Sequence, residues 1–180
     1  MLGLVFTEMM ALVETRWSLD MVDRVLARAG LFGAYTSVGD YPDGEMTALI
    51  GALAAESGLA ASDLVGAYGQ HLFDSFSRFH PPYFTGHPDL LSFLEQLDGR
   101  VHAEVAKLYP RSNPPSLRLE RGEGVATLIY QSPRGLGRLA EALLQASIRR
   151  FGGYRLADVE DRSQGAGRHV RFTLVPVEPS

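Results

Sequence analysis

The spacing of apolar residues shifts along this chain from a helical period to a strand period interrupted by one helix, and the shift falls at the stiff connector Asn113-Pro114-Pro115. A repeat near 3.6 residues buries one stripe of a helix, whereas alternation or a short β-rich run buries one face of a strand. Such a chain is expected to fold as helices followed by an antiparallel sheet. The fold class is therefore α+β, with a helical part at about 1–112 and a sheet-containing part at about 113–180.

Before the connector, Val5, Met9, Leu12 and Val13 mark a first helix, and Ser18 stands as the N-cap of a second with Val22, Val25 and Leu26 inward. Gly30 closes it. Asp43 and Glu45 open a third helix carrying Met46, Leu49, Ile50 and Leu53, and Gly58 stands where a C-cap glycine belongs. A fourth runs from about Ser62 towards Phe76, with Leu64, Tyr68, Leu72, Phe73 and Phe76 inward. Proline lacks the amide donor, so His80-Pro81-Pro82 breaks that helix. A long helix from about Pro88 to Pro110 sets Leu90, Leu94, Leu97, Val101, Val105 and Leu108 in one stripe.

After the connector, Leu117, Leu119 and the run Val125 to Tyr130 flank Arg121-Gly122-Glu123-Gly124, a hairpin signal. A helix from about Leu136 to Arg149 turns Leu139, Ala140, Leu143, Leu144 and Ile148 inward. Tyr154 to Arg162 and Arg168 to Val175 form a second hairpin, giving a sheet of about four strands.

A length of 180 residues covers one good core, so residues 1–180 are read as a single domain. A net charge of −4 without a clustered Lys/Arg face argues against nucleic acid as a partner. No apolar stretch is long enough to cross a bilayer, and Met1-Leu2-Gly3-Leu4 lacks the basic start of a signal peptide; a cytoplasmic location without a membrane partner is expected. The absence of cysteine excludes disulfides and thiolate metal ligation, leaving His or oxygen to hold any metal. With no phosphate loop, nucleophile elbow or paired acid/base carboxylates in a recognisable setting, the chain is not expected to be an enzyme.

His102 follows Val101, about 100° off the centre of the stripe on the long helix. An imidazole at the edge of an apolar groove suits an axial haem ligand, and a half-buried structural histidine fits the same pattern. His71, His80, His87 and His169 form neither a ligand pair nor a zinc signature. Tyr130-Gln131-Ser132-Pro133-Arg134 ends a β-run; in an extended segment residues 130, 132 and 134 share a face, where phenol, hydroxyl and guanidinium can converge on a carboxylate. A strand end with ordinary polar residues satisfies that pattern as well.

Taken together, His102-Ala103-Glu104-Val105, Lys107-Leu108-Tyr109-Pro110, Pro114-Pro115 and Tyr130-x-Ser132-x-Arg134 resemble the haem nitric oxide/oxygen binding (H-NOX) family, which includes the sensor domain of soluble guanylate cyclase. Gly3-Leu4-Val5-Phe6-Thr7-Glu8 and Tyr68-Gly69-Gln70-His71-Leu72-Phe73 resemble its stand-alone proteobacterial form. The resemblance implies haem b as cofactor, with His102 as the iron ligand. It implies that Tyr130, Ser132 and Arg134 hold the propionates, that Pro115 presses on the porphyrin, and that Phe76 lies near the proximal side.

The resemblance also places Leu139 where oxygen-binding relatives carry a tyrosine, with Met9 and Leu72 as companions. A distal wall of Val5, Met9, Leu72, Phe73, Leu139 and Leu143 offers no donor to bound oxygen. Nitric oxide and carbon monoxide are then the expected ligands, unless His71 turns into the pocket. Stand-alone relatives act on a histidine kinase or a cyclic-di-GMP enzyme, the effectors this resemblance implies. Two alternatives stay open: an oxygen-binding or peroxide-activating haem protein, and a haem-free module for a carboxylate ligand.

Overall fold

The structure, a computed structural model, describes residues 1–110 and 112–177, for residue 98 the backbone only. Helices come first: α1 (Gly3–Arg16), α2 (Leu19–Ala29), α3 (Asp43–Ser57) and α4 (Ala61–Phe79). A short 3₁₀ turn, Pro81–Tyr83, comes next. The helical stretch beyond it has three parts, α5 (Leu90–Gln96), a π-helical turn (Leu97–His102) and α6 (Ala103–Leu108). Strands β1 (Ser116–Gly122) and β2 (Val125–Gln131), helix α7 (Gly137–Phe151), and strands β3 (Tyr154–Asp161) and β4 (His169–Pro176) complete the order.

Local chemistry sets these boundaries. Ser18 Oγ accepts the Met21 amide at 3.2 Å, which satisfies a donor the start of α2 would otherwise orphan. Gly30 then ends α2 in the left-handed region at φ 69°. Asp89 caps α5 in the same way, its carboxylate accepting the Ser92 amide at 2.8 Å. That donor holds the carboxyl of Asp89 below its ordinary value. The sheet runs β1-β2-β4-β3, with every neighbouring pair antiparallel.

The apolar side chains gather in two clusters. Phe6, Met9, Val13, Met46, Leu49 and Leu72 lead the first, built by α1 to α4. In the second, Leu90, Phe93 and Leu94 of α5 join Leu144 of α7 and Leu128, Phe172 and Leu174 of the sheet. Leu136 and Leu143 pack against both clusters, and the adjacent residues Leu72 and Phe73 of α4 enter different ones. α4 and α7 cross at this seam, where Gly69 faces Ala142 so closely that a Cβ on Gly69 would stand 2.4 Å from that of Ala142.

One expectation about the long helix fails. Leu108, placed in the buried stripe by spacing, is 72% exposed, whereas Leu90 is fully buried. A regular helix returns to the same face every 3.6 residues, so an irregularity must separate them. The π-helical turn is that irregularity.

Candidate functional site

His102 closes the π turn and is half-buried, with its Nδ1 atom shielded from solvent. Straight α winding would leave this imidazole about 100° from the stripe, as its sequence position implies. A π turn holds one residue more than the α turn it replaces, so each later residue moves back by one position on the helical wheel. His102 thereby takes the direction that Val101 would have in regular α winding.

Tyr130 and Ser132 are both buried, but only Tyr130 lies on a strand, because β2 ends at Gln131. Strand alternation therefore carries the shared face no further than Gln131. A turn brings Arg134 back instead, its amide donating to Ser132 Oγ at 3.3 Å. Burial raises the Tyr130 phenol above its ordinary pKa against the lowering effect of Ser132, the Leu136 amide and Arg134. At neutral pH it remains a hydroxyl donor.

The side chain of Arg134 is 9% exposed, and its guanidinium grips three oxygens. Nε donates to Asp43 Oδ1 at 2.9 Å, Nη1 to the Asn113 carbonyl at 2.5 Å and Nη2 to the Ser112 carbonyl. It thus ties the start of α3 to the connector that comes after the His102 helix. Pro115 sits in that connector, half-buried. An arginine so placed already holds one carboxylate, the chemistry a propionate requires.

Val5, Met9, Leu72, Leu139, Leu143 and Phe76 all belong to the first apolar cluster or pack against it. Phe73 sits across the seam with Phe84 and Phe93. A cleft of about 300 Å³ opens beside Leu139 and Tyr68, between α3, α4 and the start of α7.

The three tyrosine hydroxyls of this cluster and the neighbouring His71 are engaged. Tyr68, fully buried, donates its hydroxyl to the Val5 carbonyl. Tyr35 donates to Glu45 at 2.8 Å and Tyr41 to the Ala34 carbonyl at 3.1 Å. His71 pairs through Nε2 with Glu8 Oε2 at 2.9 Å, joining α4 to α1. Sequence reasoning placed Tyr68 on the inner face but missed its bond to Val5, which pairs residues 63 positions apart.

The donor set fits an iron porphyrin. Among the described residues no three His, Asp or Glu side chains gather as a ligand set for a bare ion. His102 would supply one axial nitrogen to an iron porphyrin, and Tyr130, Ser132 and Arg134 carry the donors that would meet its carboxylates.

The Haem-NO-binding family profile matches residues 2–154. Among solved structures, the unliganded Fe(II) H-NOX protein from K. algicida is 28% identical with a TM-score of 0.88, covering 99% of this chain and 98% of that one. The H-NOX from Shewanella woodyi, solved with IWP-051 in the Fe(II)CO state, is 30% identical with a TM-score of 0.83, covering 99% and 95%. The Fe(II)NO form of the S. oneidensis protein shares the fold at 22% identity and a TM-score of 0.87, covering 99% and 100%. No curated protein matches the chain significantly. Among the described residues no single helix is long and apolar enough to cross a membrane, although the bent pair α3 and α4 together would be by length and composition. Both of those helices bury leucines in the core, and the profile covers them: the chain belongs to the Haem-NO-binding (H-NOX) family, whose members are haem-based gas sensors.

Proposed function

We propose that this chain is a single gas-sensor domain that binds nitric oxide and carbon monoxide at ferrous haem b and leaves oxygen unbound. The observation that carries the reading is the apolar cluster around Met9, Leu72 and Leu139, beside which the three tyrosine hydroxyls and His71 are bonded elsewhere. Bound oxygen carries partial negative charge and needs a donor, whereas nitric oxide binds ferrous iron strongly without one. When bound, the haem supplies the iron on which the gas is held.

The chain's own residues do the rest. His102 would hold the iron from one side, with Phe76 near it and Pro115 against the porphyrin. Tyr130, Ser132 and Arg134 would fix the carboxylates, and Val5, Met9, Leu72, Phe73, Leu139 and Leu143 would keep water and donors from the gas. The NO-bound and CO-bound states of the S. oneidensis and S. woodyi proteins support the choice of ligands. Sensing rather than catalysis follows from the lack of a polar acid/base group among the distal residues, and the output would pass to a cytoplasmic histidine kinase or cyclic-di-GMP enzyme.

Absorption spectra of the reduced protein under nitrogen, air, carbon monoxide and nitric oxide test the reading. The spectrum in air is expected to match that under nitrogen, and each of the other gases is expected to shift it. Leu139→Tyr adds a phenol and is expected to confer an oxygen complex, since one hydrogen bond to a charged group is worth about 1.5–3 kcal/mol, roughly ten- to a hundredfold in affinity. A stable oxygen complex in the unmutated protein contradicts the proposal.

A further inference from the structure

Leu108 follows Leu90 by eighteen residues, about five complete turns of a regular α-helix, so the two should face the same way. One is fully buried and the other is 72% exposed. Tyr109, the next residue, is half-buried, as is Ala103, which regular winding would point away from the core. All three departures have the sense of one extra residue inserted between α5 and α6, and the π turn Leu97–His102 supplies it. Gly99 lies exposed within that turn, and a Cβ there would meet nothing within 4 Å, so crowding does not require a glycine.

Both ends of the helix are fixed by other contacts. Leu90, Leu91, Phe93 and Leu94 are buried in the second cluster, and Arg134 holds the carbonyls of Ser112 and Asn113 just past the far end. The surplus residue is therefore absorbed between them. We infer that the π turn is the positioning element of the proposed haem site: the one-residue surplus in Leu97–His102 rotates His102, rather than Val101, into the line of Leu90 and Leu94. The inference rests on the haem reading of His102 and specifies what aims that side chain.

Two variants of the full chain, judged by the ferrous absorption spectrum and by haem loss to apomyoglobin, decide it. Deleting Gly99 removes the surplus; regular α winding then gives the same facing on both sides, so haem retention is expected within about threefold of the parent. If the parent helix were regular, the deletion would swing the histidine away by about 100° and release the haem, which overturns the inference. The exchange Val101→His with His102→Val has the opposite sign. It is expected to lose haem at least about tenfold faster, whereas equal retention would show that residue 101 already faces the iron. The exchange keeps backbone length, so it decides the matter should the deletion not fold. If the parent chain takes up no haem, the site reading fails first. Backbone NMR of the parent then still decides the π turn, with amide contacts of i to i+5 spacing over Leu97–His102 expected and uninterrupted i to i+4 spacing contradicting it.

Discussion

His102→Gly is expected to strip the protein of most of its haem, with the ferrous absorption band restored when imidazole is added to the medium. The glycine removes the proposed iron ligand and leaves a gap of imidazole size. Second-sphere partners of metal ligands alone change affinity 10–100-fold, so loss of the ligand itself is expected to weaken retention by at least about a hundredfold, near 2.7 kcal/mol. Imidazole rescue separates a missing ligand from a damaged fold, because a collapsed site has no place for the added ring. A spectrum identical to the parent's would assign the ligand to another residue.

Gly69→Ala is expected to have the largest effect on stability among changes near the proposed distal wall. Besides the Ala142 Cβ, the new methyl would meet the Ala142 carbonyl carbon at 3.1 Å and the Leu143 nitrogen at 3.2 Å, both backbone atoms of α7 that cannot swing aside. Overpacking of this kind costs about 1–3 kcal/mol, which for a chain of this size lowers Tm by roughly 2–10 °C. Thermal unfolding followed by circular dichroism measures it. The double variant with Ala142→Gly removes the closest contact and is expected to recover most of the loss; strict additivity of the two changes would show that the helices do not meet there. Because Leu72 and Leu139 ride on the two helices that Gly69 lets approach, the same crowding is expected to widen the distal wall.

Much of this fold could be read from residue order, because its boundaries are set by local chemistry. Ser18, Gly30 and Gly58 end or begin helices through interactions with their own neighbours, and both hairpins lie where turn residues interrupt β-rich runs. Features that depend on distant partners were not legible. The surplus residue before His102 is invisible to a 3.6-residue count, since Leu108 fits the regular stripe until the π turn displaces it. Arg134 likewise answers to partners 21, 22 and 91 positions away, and a turn rather than strand alternation brings it to Ser132. The family motifs nevertheless singled out both residues, because a motif records the chemistry a site needs whatever winding delivers it.

The haem content of the full chain, purified from cells supplied with ample porphyrin and iron and then reduced without oxygen, tests the central claim most directly. About one iron porphyrin per chain, with the ferrous spectrum of a single histidine ligand, is the predicted result. A colourless protein that stays colourless when free haem is added would contradict it.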